Sequence, residues 1–430
     1  MEWSDVAIAM APGWPALGAL AIAALVGLGW RPSERAIVRL ATAVLMLSLL
    51  SVGVGLLRWA GALFGPVDVR VGHWYRAGES SYELRFLIDR LSAPVSVTAA
   101  ILLLATCRFS ANYLHREPGF VRFFSLMLVF ASGIQLLVLG GSVELLFAGW
   151  EVVGMTSVLL VAFFHDRRGP VRAAIRVLVT YRLCDVGLLL GALWLHQAYH
   201  STSFVRVLAA PAAGGAGLVT LGVLIAAMGK SAQFPVGGWL PRAMEGPTAS
   251  SAIFYGGLSV HAGVYLMARI EPLYADSPGL RLLIVAIGSL TAIAGTLSAQ
   301  VSPDAKSALA YATITQVGIM FVECGLGFPT LAVVHLVAHA TLRYYQFLLT
   351  PSVLQSALRR RAALGATSAD ERAAQWELLG LPLRRYLYRL AIERFEVEAA
   401  LERWIARPAL FLSQRLDALE RSLFEGKRRP

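Results

Sequence analysis

Apolar stretches long enough to cross a bilayer occur repeatedly along this 430-residue chain. A transmembrane helix needs about 20 apolar residues, and about eleven stretches approach that length. Hydrophobic residues make up 57% of the chain and charged residues only 15%, which excludes an ordinary soluble globular protein. The sequence therefore predicts an all-α, polytopic membrane helix bundle over residues 1–350. The expected spans lie near 13–30, 37–57, 91–107, 123–141, 143–164, 173–195, 217–240, 249–269, 281–299, 307–325 and 329–349.

Arginine is distributed unevenly among the loops between these stretches. The first, third and fifth loops are rich in arginine, whereas the fourth has none and the sixth has Arg206 alone. By the positive-inside rule, the odd-numbered loops are cytoplasmic, which predicts an N-terminus outside and a C-terminus in the cytoplasm of a bacterial inner membrane. The net charge of +11 then reflects topology and contact with anionic lipid, and we expect no nucleic-acid partner. The loop arginines are Arg31, Arg35, Arg39, Arg108, Arg116, Arg122, Arg167, Arg168, Arg172 and Arg176.

The character of the chain changes after residue 350. Residues 351–382 are polar and are predicted to form a cytoplasmic linker. Residues 383–430 place leucines at roughly helical spacing among arginine and glutamate, which indicates amphipathic helices interrupted at Pro408. Such helices can lie on the membrane surface or dock a partner protein, and the sequence leaves both interpretations open.

Lys230 is the most informative single residue, because it lies inside an apolar stretch where a charge costs roughly 2.5–3.5 kcal/mol. The other lysines are Lys306 and Lys427, so nearly all of the positive charge is arginine. Lysine can release its proton when buried, whereas arginine stays charged. Lys230 therefore indicates proton handling or, equally, a structural ion pair. Proline and glycine between Pro235 and Pro241 predict that the helix is discontinuous here.

Acidic residues in the apolar stretches are candidate partners for Lys230. Glu151 is the strongest of them, because the two charges could compensate each other and titrate as a coupled pair. Arg182 and Asp185 are three residues apart on one helix face and are expected to pair. Glu144 lies at the outer end of the helix that contains Glu151, where it is either a proton entry group or a solvated helix-start acid.

Three histidines also lie within predicted spans. His335 and His339 are four residues apart on one helix face, and His261 lies in an earlier span. Imidazoles at this spacing suit a proton relay near neutral pH or a pair of metal ligands, and no third ligand is evident. The cysteines are too far apart to suggest a metal site, so we expect no cofactor in this chain.

Several motifs together resemble the antiporter-like membrane subunits of respiratory complex I and of Mrp-type cation antiporters, over roughly residues 90–350. The resemblance implies that the residues at matching positions, Glu151, Lys230, Asp185, Lys306, His335 and His339, form a proton path. The motifs are Gly149-Trp-Glu-Val-Val-Gly154, Gly229-Lys-Ser-Ala-Gln-Phe-Pro235, Trp239-Leu-Pro-Arg-Ala-Met-Glu-Gly-Pro-Thr248, Asp304-Ala-Lys-Ser-Ala-Leu-Ala-Tyr311 and His335-Leu-Val-Ala-His339.

Departures from that pattern point to a narrower branch. Tyr255 stands where the complex I subunits usually have a histidine, with His261 displaced, and Arg343 stands where a lysine is common. These features, with Leu387-Tyr-Arg-Leu-Ala-Ile-Glu-Arg394 in the tail, are similar to the membrane subunits of the DAB inorganic-carbon accumulation complex. That resemblance implies a large cytoplasmic partner with a carbonic-anhydrase-like zinc site, so hydration of carbon dioxide would belong to the partner. A pump subunit of a redox complex and a passive membrane anchor remain the alternatives, and the coupling ion is H⁺ or Na⁺.

Overall fold

A computed structural model describes residues 2–77, 80–210, 215–302, 304–350 and 381–393, with residues 395, 403, 407–408 and 411–417. The described chain is almost entirely helical, as predicted. Contacts divide the chain into two units, Met1–Ala363 and Leu364–Pro430. The first unit is a helix bundle. The predicted linker, residues 351–382, lies outside the described residues except for its last two positions.

Nine helical segments of the described chain are long and apolar enough to cross a membrane. They are α1 (Trp3–Gly27), α2 (Glu34–Gly61), α3 (Ser92–Tyr113), α4 (Phe120–Leu139), α5 (Val143–Val161, extended by a 3₁₀ turn to Phe164), α6 (Arg168–Tyr199), a broken segment over Thr248–Arg269, α11 (Pro278–Val301) and α12 (Ala305–Gly325). The other two predicted spans correspond to α8 (Ala216–Lys230), which has 15 residues, and α13 (Pro329–Leu349), which has 21. A short helix, α7 (Phe204–Ala209), lies between α6 and α8.

Side-chain caps define where several of these helices begin. The hydroxyl of Ser33 accepts from the backbone N–H of Ala36, that of Ser142 accepts from Leu145, and the carboxylate of Asp304 accepts from Ser307. Each cap satisfies a backbone donor that the first helical turn leaves without a partner. These positions therefore fix the starts of α2, α5 and α12.

A β-hairpin that was not predicted from the sequence lies between α2 and α3. Strands β1 (Val67–Ala77) and β2 (Ser80–Ile88) pair antiparallel, with Val67 opposite Ile88 and Ala77 opposite Ser80. Apolar and polar residues alternate along both strands, which is the signal for a strand that is buried on one face. The all-helical prediction rests on apolar stretches of about 20 residues, and these strands are shorter than that, with 11 and 9 residues.

Several helix boundaries also differ from the predictions. Helix α1 begins ten residues earlier than expected and contains Pro12 and Pro15. The predicted span at 217–240 ends as an α-helix at Lys230 and continues as 3₁₀ turns, which agrees with a discontinuous helix. The span at 249–269 is irregular as well. It consists of α9 (Thr248–Ser250), a π-helical segment (Ser251–Gly257), a 3₁₀ turn (Ser259–His261) and α10 (Ala262–Arg269).

A buried ion pair joins the end of the hairpin to the bundle. Asp89, just after β2, pairs with Arg269 at the end of α10, and Arg269 also donates to the Tyr265 hydroxyl at 2.6 Å. Tyr265 in turn donates to the Val138 carbonyl on α4. Burial opposes ionisation of Asp89, but the Arg269 guanidinium outweighs it and holds the pKa of this carboxyl below its ordinary value. The pair therefore fixes the hairpin, α4 and α10 relative to one another.

Glycines allow two helix pairs to pack with their backbones in contact. A Cβ added to Gly318 on α12 would lie 2.7 Å from the carbonyl oxygen of Gly288 on α11. Likewise, a Cβ added to Gly187 on α6 would lie 2.5 Å from the carbonyl oxygen of Gly222 on α8. Small residues at such positions are how membrane helices approach closely. The second contact brings α6 against α8, and so positions Lys230.

The tail forms a separate unit whose described residues include a 12-residue helix. This helix, α14 (Leu381–Ile392), begins two residues before the predicted start of the amphipathic region, and residues 411–417 are helical as well. Helix α14 exposes both apolar and basic side chains, including Leu383, Tyr386 and Arg385. These described residues of the tail are therefore helical, and the amphipathic surface stays a prediction.

We predict that Gly318→Ala lowers the thermal unfolding midpoint of the detergent-solubilised protein. The added methyl group would force the α11 and α12 backbones apart, and overpacking of this kind typically costs about 1–3 kcal/mol. Gly53→Ala in α2 is the matched control, since no atom lies within 4 Å of its added Cβ. That variant should be neutral or slightly stabilising, because alanine favours helix more than glycine does. Equal midpoints for the two variants would contradict close α11–α12 packing.

Candidate functional site

Lys230 is the last residue of α8, and its side chain is 1% exposed. Its ammonium donates to the backbone carbonyl of Trp150 on α5 at 3.1 Å. The charge also lies over two aromatic rings, 4.3 Å from the centroid of Tyr181 and 4.8 Å from that of Trp150. A carbonyl dipole and two π faces thus stabilise the ammonium in place of water.

Gly154 makes this arrangement possible. In an α-helix the carbonyl of residue 150 points toward residue 154, so a side chain there would cover the oxygen. A Cβ on Gly154 would lie only 2.6 Å from the Lys230 Nζ atom. Gly154, the last residue of the Gly149–Gly154 motif, therefore leaves the space that the Lys230 ammonium occupies.

The acidic residues next to Lys230 are held by an arginine. Glu151 forms an ion pair with Arg182, and Asp185 lies 3.7 Å from the same guanidinium. Asp185 also accepts from the Trp150 indole N–H at 2.6 Å. The expected Arg182–Asp185 pair is thus present. Lys230 makes no direct ion pair with Glu151, because Arg182 binds the Glu151 carboxylate while the Lys230 ammonium donates to the Trp150 carbonyl.

The next residue, Ser231, connects Lys230 to the broken segment. Its hydroxyl donates to the Val260 carbonyl at 2.7 Å, immediately before His261. The contact is close because Gly263 has no side chain, and a Cβ there would lie 2.3 Å from the Ser231 hydroxyl oxygen. The ends of two interrupted helices therefore meet between the lysine and the first histidine.

His261 contacts His339 on α13 directly. The His261 Nε2 and His339 Nδ1 atoms are 2.9 Å apart, and both residues are buried. Arg343, one turn farther along α13, donates its Nε–H to His339 Nε2 at 3.4 Å. His261 and His339, which lie in different predicted spans, thus form a hydrogen-bonded pair.

His335 does not bond to His339, although the sequence grouped them. Its Nδ1 lies 2.8 Å from Glu323 and its Nε2 lies 3.1 Å from Gln316, both on α12. The His335 and His339 ring centroids are 6.2 Å apart. Gln316 and Glu323 were not among the predicted site residues, although two polar residues seven positions apart in an apolar span are a signal of a polar helix face.

These side chains form one group around Lys230 and a second around His261, His339 and His335, which the Ser231–Val260 contact connects, and together we call them the polar row. We use this name for Glu151, Arg182, Asp185, Lys230, His261, His339, His335 and Glu323. Both ends of the row are partly exposed at the sides of the bundle. Arg182 and Glu151 are 43% and 23% exposed, and His335 and Glu323 are 23% and 16% exposed. Partly exposed charges within spans require a protein or water-filled neighbour in a membrane.

Two predicted site residues lie outside the polar row. Lys306 is in the first turn of α12 and donates to the Thr248 hydroxyl at 3.0 Å, about 15 Å along the helix from Gln316. Glu144 is in the first turn of α5, about 10 Å along that helix from Glu151. One of its carboxylate oxygens is buried without a hydrogen-bond partner. The structure therefore places both residues near helix ends.

The groups in the polar row suit proton transfer more than metal binding. Lysine, carboxylate and imidazole can each gain or lose a proton, and a neutral imidazole donates at one nitrogen while accepting at the other. No cluster of three histidine, cysteine or acidic residues suited to a metal ion occurs among the residues that the structure describes. The metal interpretation of His335 and His339 gains no support from this geometry.

Known proteins are similar to this bundle in both sequence and fold. Residues 141–366 match the family described as "NADH:quinone oxidoreductase/Mrp antiporter, TM", and residues 74–124 match "NADH-Ubiquinone oxidoreductase (complex I), chain 5 N-terminus". The NAD(P)H-quinone oxidoreductase chain 5 of Synechocystis is 36% identical over 290 residues, which cover 65% of this chain and 43% of the relative. The Halothiobacillus neapolitanus protein named "Probable inorganic carbon transporter subunit DabB1" is 36% identical over 279 residues, covering 63% and 50%.

A solved structure is similar to this chain in fold. The Mrp complex from Dietzia sp. contains a chain that matches with a TM-score of 0.69 and 29% identity, over 80% of this chain and 37% of the other. This chain spans about half the length of the curated relatives that it matches.

We predict that the His261–His339 hydrogen bond couples the two residues energetically. In a double-mutant cycle of His261→Ala and His339→Ala, the coupling in unfolding free energy should be about 0.5–1.5 kcal/mol, the usual range for one hydrogen bond. The measurement is chemical unfolding of the four purified proteins in one detergent. Pairing His261→Ala with His200→Ala, an exposed residue at the C-terminal cap of α6, should give no coupling. Additive effects for the first pair would contradict the contact.

Proposed function

Because this chain belongs to the family of transmembrane NADH:quinone oxidoreductase/Mrp antiporter subunits, we propose that it is a proton-conducting membrane subunit of a larger assembly. The observation that supports this proposal most directly is the polar row, with a buried lysine near its middle and a bonded histidine pair beyond it. Charged and titratable groups inside a membrane are costly, and they commonly mark ion pathways.

The contacts of Lys230 suit a group that gains and loses a proton. A neutral carbonyl accepts from it, so the ammonium is held without a direct ion pair. Glu151 and Asp185 share the single positive charge of Arg182, so the ammonium of Lys230 supplies the second positive charge of this cluster. Opening of the Glu151–Arg182 pair would present a carboxylate to Lys230, and closing it would withdraw that carboxylate. We propose that this exchange of partners controls when Lys230 holds its proton.

The histidine pair provides the next acceptor along the row. The Ser231–Val260 contact places the end of α8 beside His261, and the His261–His339 bond carries the connection to α13. A water molecule or a small side-chain movement would complete the step from Lys230 to His261. The proposed path then leaves through His335 and Glu323, whereas Glu144 and Lys306 would serve exchange with water at the helix ends.

The exposed ends of the polar row support the proposal that neighbouring subunits cover this chain. Arg182 belongs to the outer face of α6, where Leu183 and Val186 are also exposed, and His335 is partly exposed on α13. A lipid contact at either place would leave a charged or hydrogen-bonding group in hydrocarbon. A membrane subunit on each side, or a water-filled opening, would remove that cost.

The finer proposal is a role in inorganic-carbon accumulation. It is supported by the 36% identity to the DabB1 protein and by the tail motif, which overlaps the end of α14. In this proposal, proton flow through the chain drives carbon dioxide hydration in a large cytoplasmic zinc subunit that resembles carbonic anhydrase. The second candidate is a pump subunit of a quinone-reducing complex, which the 36% identity to the Synechocystis protein supports equally.

The loop charges support one orientation in the membrane. With the arginine-rich loops in the cytoplasm, the N-terminus is outside and the tail, including α14, is in the cytoplasm of a bacterial cell. This orientation places the tail where a soluble cytoplasmic partner could bind it.

We predict that Lys230→Met reduces proton flux roughly 10²-fold or more, because loss of a positioned proton-transfer group commonly has an effect of that size. Flux would be measured with a pH-sensitive dye in membrane vesicles that contain the full chain and its native neighbours, at matched protein abundance. Lys230→Arg should fail as well, since a guanidinium keeps its proton near neutral pH.

His200→Ala is the control for the flux experiment, because this exposed residue is outside the polar row. Its flux should match that of the unmodified chain. Unimpaired flux in Lys230→Met would instead favour a passive anchor. Normal flux in Lys230→Arg would show that a fixed charge is sufficient, and transfer through Lys230 would be abandoned.

We predict that deletion of residues 382–430 leaves the bundle inserted in the membrane but reduces recovery of a soluble partner in pull-downs. The exposed apolar side chains of α14 must be covered by protein or by the membrane surface. The unmodified chain should recover a large subunit that contains zinc, measured by elemental analysis of the purified complex. Recovery of flavin- or iron–sulfur-containing subunits without zinc would favour the redox assembly. Undiminished recovery after the deletion would leave the tail as a lipid-surface element.

A further inference from the structure

Two tyrosines of the bundle interior carry hydroxyl groups that packing alone does not explain. Tyr181 on α6 and Tyr255 in the π-helical segment are each 1% exposed, and neither hydroxyl oxygen has a hydrogen-bond partner among the described residues. Leaving a buried hydroxyl unpaired costs about 1–3 kcal/mol. A phenylalanine at either position would fill nearly the same space and avoid that cost, so the two hydroxyls require another reason.

The two hydroxyls belong to one cluster. The Tyr181 and Tyr255 rings both pack against Trp239, with centroid distances of 5.0 and 5.6 Å. The Ser259 hydroxyl lies near the Tyr181 hydroxyl without a direct hydrogen bond, and Ser157 on α5 donates to Ser259 at 3.4 Å. We call Tyr181, Tyr255, Ser259 and Ser157 the hydroxyl cluster.

One side of the hydroxyl cluster adjoins Lys230. The Lys230 ammonium is 4.3 Å from the centroid of the Tyr181 ring. A Cβ on Gly154 would lie 2.6 Å from the Lys230 Nζ atom and 3.5 Å from the Tyr181 ring, so the lysine and the tyrosine meet at this position of α5. Ser157 follows Gly154 by three residues and therefore lies on the same face of α5. The lysine and the hydroxyl cluster thus occupy one side of this helix.

The other side of the hydroxyl cluster adjoins His261. The Nε2 atom of His261 bonds to His339, whereas its Nδ1 atom is buried and has no hydrogen-bond partner in the described part of the chain. The His261 side chain also lies near the backbone of Gly257, which ends the π-helical segment that contains Tyr255. Ser259 and His261 are the first and last residues of the 3₁₀ turn that follows. The unpaired nitrogen therefore lies beside the segment that carries two of the hydroxyls.

We infer that the hydroxyl cluster carries the proton between Lys230 and His261, an inference that rests on the proposed proton conduction. The Lys230 ammonium gives a proton to a hydroxyl oxygen and becomes a neutral amine. That hydroxyl passes its own proton onward, and the last one in the row gives its proton to His261 Nδ1. The imidazole releases its Nε2 proton to its histidine partner, so every group between the two ends stays neutral. Rotation of the hydroxyls or a bridging water molecule spans the distances that are longer than a hydrogen bond.

The test removes one hydroxyl at a time with Tyr181→Phe and Tyr255→Phe, which keep the aromatic rings. Proton flux in vesicles that contain the full chain and its native neighbours should fall roughly 10-fold or more at matched abundance, because a positioned proton-transfer group is lost. The ratio of the flux in light water to that in heavy water should rise, since proton transfer across the missing hydroxyl becomes the slowest step. The thermal unfolding midpoint should not fall, because each variant removes an unpaired buried hydroxyl.

Tyr274→Phe is the matched control. Tyr274 is also 1% exposed, but its hydroxyl donates to the Met267 carbonyl at 3.1 Å, outside the hydroxyl cluster. Its flux and isotope ratio should equal those of the unmodified chain.

The outcome separates this inference from the proposed function. Normal flux in either cluster variant, in vesicles where Lys230→Met is impaired, would overturn the inference and leave the proposed function intact. An equal loss of flux in Tyr274→Phe would overturn the inference as well. Unimpaired flux in Lys230→Met would overturn both together.

Discussion

The cost of a positive charge in a low-dielectric interior is the constraint on which this structure depends. Lys230 meets it with a backbone carbonyl and two aromatic faces, and not with a carboxylate. Such a set stabilises the ammonium without a direct ion pair, while its charge balances the second of the two carboxylates that share Arg182. The close packing of α6 on α8 and the absence of a side chain at Gly154 both follow from the need to bring this set together.

Interrupted helices are the second requirement of this arrangement. Helix α8 ends at Lys230, and the Thr248–Arg269 segment changes from π-helical to 3₁₀ geometry just before His261. Interruptions free backbone groups that a regular helix would use, and in membranes they are tolerated only where protein or water satisfies them. Here the Ser231 hydroxyl satisfies the Val260 carbonyl. The two interruptions meet between the lysine and the histidine pair, which is where a proton would have to pass between spans.

Arg182 and Arg343 show two ways in which this bundle uses a fixed positive charge. Arg182 pairs with Glu151 and lies 3.7 Å from Asp185 at a partly exposed end of the polar row. Arg343 lies beside the histidine pair, where its Nε–H donates to His339. One arginine holds acidic side chains in place, whereas the other holds an imidazole.

Composition and periodicity were sufficient to determine the helical bundle, because each span must satisfy its own backbone hydrogen bonds in a membrane. They also identified Lys230, Glu151 and His339, since a titratable residue stands out in an apolar stretch. The alternation of apolar and polar residues also indicates the hairpin, but its strands are shorter than a membrane span. Partner choice depended on tertiary structure: Arg182 reaches Glu151 before Lys230 does, and His261 bonds to His339 although 78 residues separate them. Such contacts depend on the relative rotation and depth of whole helices, which spacing along one helix does not specify.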